Sequence, residues 1–130
     1  MLFPKSADRF FSQYNFKFIT ENAGLPYSFV SDIFKDSGGY VWVATHYGIG
    51  RYDGYQFLNY GTQTEPIRLK NDFVHKICED NFRRLWIASE GGIDILDLNT
   101  YALVKLPVSP DSPLQKLLNE NVSTIYNCLL

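Results

Sequence analysis

The sequence is poor in sulfur and holds no long apolar run. Its 130 residues include two cysteines, Cys78 and Cys128, and one methionine. Two cysteines are too few for a disulfide framework, and no CxxC or Cys/His spacing points to a metal site. Cys78 falls within an expected strand, where it reads as a small buried hydrophobe; a Cys78–Cys128 bridge stays open as an alternative. No stretch approaches the roughly 18 apolar residues needed to cross a bilayer. Residues 1–11 lack a cationic end followed by an apolar core, so they are not a secretory signal. Composition alone therefore leaves open a cytosolic protein and one whose signal lies outside this chain. Excess charge is also lacking. Twelve Lys and Arg against fourteen Asp and Glu leave a net charge of −2. With no basic stripe, nucleic acid is not an expected partner, and no block of like charge marks an interaction tail.

Aromatic residues are plentiful. Ten Phe, nine Tyr and two Trp make up 16% of the chain, which favours strands over helices. They sit within an internal repeat. Residues 30–57 align with residues 74–101 at an offset of 44, without a gap. Val30/Val74, Ile33/Ile77, Asp36/Asp80, Trp42/Trp86, Ala44/Ala88, Gly48/Gly92, Ile49/Ile93 and Asp53/Asp97 are identical pairs. Eight identities in 28 positions exceed the roughly two expected from ordinary residue usage. A period of 40–50 residues in an all-strand pattern is that of propeller blades.

Each repeat divides into four strands, A to D. The first places them near 31–35, 40–45, 49–53 and 56–60, and the second near 75–79, 85–89, 93–98 and 101–106. Turn residues separate them: Asp36-Ser37-Gly38-Gly39, Tyr47-Gly48 and Asp53-Gly54. Strand B is VWVAT in one copy and LWIAS in the other. A strand with one wet face alternates apolar and polar residues, so a continuous apolar run means burial on both faces. Trp42 and Trp86 are expected to pack between blades. Gly39 is expected to close a hairpin with positive φ, and Gly48 and Gly92 to make tight reversals. Arg83 stands where the first repeat has Gly39, so that turn must differ or be strained.

The expected architecture is all-β: a partial β-propeller of two four-stranded antiparallel blades plus incomplete flanking strands. Residues 1–23 form a lead-in with an orphan outer strand at 16–20, 24–66 the first blade, 67–110 the second, and 111–130 the start of a third. A short helical turn is expected at 114–118, and Val122-x-x-Ile125 repeats the start of strand A. A closed propeller needs about four blades or more. The chain is thus expected to be a piece of a longer protein or to self-associate.

The run Gly24-Leu25-Pro26, Val30, Ile33, Asp36, Gly39, Trp42-Val43-Ala44-Thr45, Gly48-Ile49 and Tyr52-Asp53 resembles the two-component regulator propeller repeat. The resemblance covers residues 16–128, with Arg83 departing from the pattern. Proteins of this family carry propellers, a Y-shaped immunoglobulin-like domain, a membrane helix, a histidine kinase and a response regulator. They detect oligosaccharides in the periplasm of Bacteroides-type bacteria. The resemblance implies a periplasmic sensor segment, an oligosaccharide ligand, and signalling to a kinase elsewhere in the parent chain. The remaining blades of that parent, or a second copy, would be its partners.

No catalytic residue, cofactor or metal ligand is expected. The two histidines, His46 and His75, form no nucleophile–base grouping by spacing. Asp36, Asp80, Asp53 and Asp97 recur at fixed repeat positions, which suits carboxylates that cap turns. Candidate ligand-binding residues are His46, Tyr47, Glu90, Tyr27 and Asn22, in loops of one propeller mouth, where an aromatic face and nearby polar groups suit a sugar. Arg51 and Arg68 are expected to be solvated, with binding of a sugar acid as the alternative. The competing readings are a propeller lyase-type enzyme, which would need a histidine and an acid at one mouth, and a protein-interaction scaffold.

Overall fold

The computed structural model describes residues 29–107 and 109–119. Strands β1 (Val30–Lys35), β2 (Val41–Thr45), β3 (Gly48–Tyr52) and β4 (Phe57–Tyr60) form one antiparallel sheet in the order β1-β2-β3-β4. Strands β5 (Val74–Glu79), β6 (Arg84–Ser89), β7 (Gly92–Asp97) and β8 (Ala102–Leu103) form a second in the same order. Helix α1 (Pro113–Asn119) follows and packs on β7. The fold is all-β: two propeller blades, with one short helix beside the second. Both A strands carry a register shift at the same repeat position, between Val30 and Asp32 and between Val74 and Lys76. The orphan strand at 16–20 and the third-repeat start at 121–125 lie outside the described residues.

The five residues of β2 are all buried, as an unbroken apolar run requires. One face of blade 1 meets blade 2 in a shared core. Trp42, Ala44 and Ile49 pack with Val74, Ile77, Leu85, Ile87, Leu96 and Leu98, and Ile67 and Leu69 of the connector enter the same cluster. Trp42 is fully buried there, while Trp86 is half-buried and lies outside that cluster.

Asp36 and Asp80 stitch their A–B turns. Oδ1 of Asp36 accepts the Gly38 and Tyr40 amides, and its Oδ2 accepts the Trp42 indole N–H at 2.8 Å. Asp80 does the same for Phe82, Arg84 and the Trp86 indole. Asp53 and Asp97 cap the C–D turns through the amides of Tyr55 and Gln56, and of Asn99 and Thr100. Turn capping was the expected role; the indole bond was not foreseen.

Three expectations are corrected by the structure. Strand D of the second blade was expected at 101–106 but holds only Ala102–Leu103: Tyr101 belongs to the C–D turn with φ 54°, and the ladder to β7 ends at Leu103. The turn at Arg83 is strained, as expected, since Arg83 adopts φ 57° where the first blade has Gly39; its guanidinium donates to Ser37 Oγ of blade 1 and to Asn99 Oδ1. Arg51 is not simply solvated. Its guanidinium lies 4.7 Å from the centroids of both Tyr40 and Tyr101, a cation–π clamp across the blades. Arg68 is exposed as expected and pairs with Glu65. Cys78 is buried, but it is disulfide-bonded rather than a free thiol; Cys128 lies outside the described residues.

Two buried carboxylates also join the sheets. Asp32, 3% exposed, accepts the Ile77 amide of blade 2 at 3.0 Å and faces Lys76 Nζ at 3.6 Å. Burial raises its carboxyl above the ordinary range, against the pull of the Ile77 amide and the Lys76 charge. Buried Glu79 binds the Ser37 amide and hydroxyl at 2.7 and 2.6 Å.

Candidate functional site

Antiparallel order puts both B–C loops and the blade connector at one end of the sheets. The loops are built alike. Thr45 Oγ1 donates to the Gly48 carbonyl and accepts the Tyr47 amide, and Ser89 Oγ does the same for Gly92 and Gly91. Gly48 and Gly92 hold φ of 113° and 115°. A side chain at Gly48 would overlap the Tyr60 carbonyl, and one at Gly92 the Leu118 carbonyl. Each glycine thus meets both a conformational and a steric demand. The connector is tied to the first loop by the Gly48 amide, which donates to Asp72 O at 2.6 Å. Asp72 in turn accepts the Thr62 amide and hydroxyl.

On this frame four rings stand in succession. Phe29 lies 4.8 Å from His46, His46 3.9 Å from Phe73, and Phe73 4.8 Å from His75. The row ends at Glu90, whose Oε1 is 3.9 Å from His75 Nε2. Of the expected ligand residues, His46 lies inside the row and Glu90 at its end. Tyr47, 58% exposed, is next to His46 in the same loop. Tyr27 and Asn22 lie outside the described residues.

Phe29 and Phe73 were not singled out from sequence. They are identical residues at the same 44-residue offset, one step before the repeat as first bounded. Extending the alignment by one position would have found both. The arrangement offers solvent-facing aromatic surface at Phe29 and Tyr47, with imidazole and carboxylate groups beside it. Such a surface can stack on C–H faces and bond hydroxyls. Asp36, Asp53, Asp80 and Asp97 all bind turn amides.

The profile of the two component regulator propeller family matches residues 24–47 and 68–91. No curated protein matches the chain. Among solved structures, the extracellular domain of BT3049 of B. thetaiotaomicron, described as a hybrid two component system, aligns over 65% of this chain with a TM-score of 0.57 and 22% identity. Two structures of the extracellular domain of BT4673 from the same organism, described once as a one component and once as a hybrid two component system, each align over 66% of this chain. Their TM-scores are 0.56 and 0.55, both at 24% identity. The chain spans 12% of the length of each of these proteins. The likeness is one of fold. Each of the two repeats thus contains a segment similar to the two-component regulator propeller repeat, and the structural likeness agrees with it on a propeller fold.

Proposed function

We propose that the chain supplies two blades, at 24–66 and 67–110, of a sensory propeller, and that residues 111–130 begin a third. The loop end of these blades binds an oligosaccharide, and the parent protein passes that signal to a kinase elsewhere in its sequence. The observation that carries this reading is the ring row Phe29–His46–Phe73–His75, which crosses from one blade to the next beside exposed Tyr47. A surface shared by two blades suits a ligand longer than one sugar ring. Periplasmic location is supported by the disulfide at Cys78, since such bonds persist in oxidising compartments, and by the extracellular origin of the structural neighbours.

The test is thermal unfolding of the chain with a panel of oligosaccharides from plant and host glycans. A ligand that binds the folded form raises the midpoint. Tyr47→Ala should abolish that rise while leaving the unliganded midpoint near its original value. If no glycan shifts the midpoint, or the shift survives Tyr47→Ala and His46→Ala, this loop end is not the receptor surface.

A further inference from the structure

The second blade departs from the first on its outer side. β8 pairs only Leu103 with Leu96 and Ala102 with Asp97. Val104 still donates to the Ile95 carbonyl at 2.7 Å. Beyond it the chain peels away, and α1 packs against β7. Between the sheet edge and the helix lies a cavity of about 410 Å³, within the range of small-molecule sites. Ile93, Leu103 and Leu118 contribute apolar wall.

The lining also includes a buried carboxylate. Asp94 stands where the first blade has Gly50, so the blade architecture does not call for a carboxylate there. It is nonetheless 7% exposed, and burying a carboxylate is costly unless it is matched by partners. Its Oδ2 accepts the Lys70 amide at 2.9 Å, and burial raises its carboxyl above the ordinary range. Gln115 and Asn119, one helical turn apart, line the same space. Lys70 fixes the helix end to the sheet: its Nζ donates to Leu118 O, Ile93 O and Asn119 Oδ1 at 2.9–3.1 Å. Arg68 and Lys105 stand at the cavity and are exposed. Arg68 pairs with Glu65 at the surface, a bond weak enough to be exchanged for a better anion.

We propose that this cavity is a second binding site, distinct from the loop end, for a sugar acid of one or two rings. Asp94 accepts ligand hydroxyls, the Gln115 and Asn119 amides complete the hydroxyl contacts, and Arg68 and Lys105 hold the ligand carboxylate. A buried acceptor selects for hydroxyl donors, and the flanking cations select for an anion. A sugar acid carries both, whereas a neutral sugar or an inorganic anion carries only one.

The test is amide-resolved NMR titration of the full 130-residue chain with glucuronate and galacturonate, their disaccharides, glucose and inorganic sulfate. The expected result is saturable binding of a sugar acid, with shifts at Lys70, Asp94 and Gln115. Asp94→Asn and Lys105→Glu should each weaken it by about tenfold or more. Lys105 is exposed, so its variant stays informative should Asp94→Asn disturb folding. The proposal is overturned if no sugar acid binds, or if sulfate or glucose binds as well. It is equally overturned if binding survives both variants. Loss with Tyr47→Ala instead would assign the sugar to the loop end, leaving that reading intact and removing this one.

Discussion

Asp36 serves two masters, holding a turn with one oxygen and an indole with the other. Because Asp36 is 4% exposed, removing the indole N–H strands a buried acceptor. Trp42→Phe should therefore cost about 1–3 kcal/mol for the lost partner, beyond any change in packing. Asp80 Oδ2 also accepts Arg84 Nε at 2.6 Å, so Trp86→Phe leaves it a donor and should cost clearly less. Urea denaturation of the two variants checks the order. Arg83 supplies a second contrast. Its backbone is in the left-handed region at φ 57°, where a side chain costs about 1–2 kcal/mol relative to the right-handed form. Arg83→Ala loses the bonds to Ser37 and Asn99 and keeps that strain, whereas Arg83→Gly loses the bonds and relieves it. The glycine variant should be the more stable of the two by about 1 kcal/mol, by the same measurement.

Strands and turns differ in how plainly the sequence announces them. The B strands are legible because burial demands apolar runs, and VWVAT, buried throughout, and LWIAS, buried except at Trp86, supply them. The capping aspartates are legible because a turn repeats wherever its residue does. The second D strand is not, since Tyr101-Ala102-Leu103 reads as strand and nothing local shows the left-handed φ at Tyr101. Nor are Asp32 and Glu79 in their bridging roles: both act across blades, through contacts 42–45 residues apart in sequence. The ring row was partly legible, with His46 found by residue type and the two phenylalanines hidden as ordinary apolar residues. The A–B turn also carries a pH signature. Burial pushes the Asp80 carboxyl up, but bonds from Trp86, Phe82 and Arg84 together outweigh it and hold the carboxyl below the ordinary 3.8. As pH falls, the unfolded chain takes up that proton first, so the stabilisation present above 3.8 is lost as pH drops through the lower folded value. Asp80→Asn has no such proton to gain. Its stability, lower at neutral pH, should fall less steeply than that of the unmodified chain in this acid range, as measured by denaturation at stepped pH. Asp32, raised by burial, acts in the opposite direction in both proteins and cancels from the comparison.

At the scale of the molecule, the two blades bear on each other more heavily than a string of independent repeats would. Repeat proteins gain stability from each unit and from each interface between units, and here the interface is the main apolar core. Ile77 sits in it at 1% exposure, on blade 2, packed in the cluster that holds Trp42 and Ala44 of blade 1. Its amide is also the one that Asp32 of blade 1 accepts, so the same residue joins the blades by packing and by hydrogen bonding. Ile77→Ala keeps the amide and removes the side chain, at a cost of about 2–5 kcal/mol for a buried isoleucine. If the blades unfold as one unit, that loss belongs to both. Hydrogen exchange should then show amides of β2 in blade 1 losing protection by the same factor as those of β6 in blade 2. Protection lost in β6 alone would mean that each blade opens by itself, and that the core between them joins two separately stable sheets.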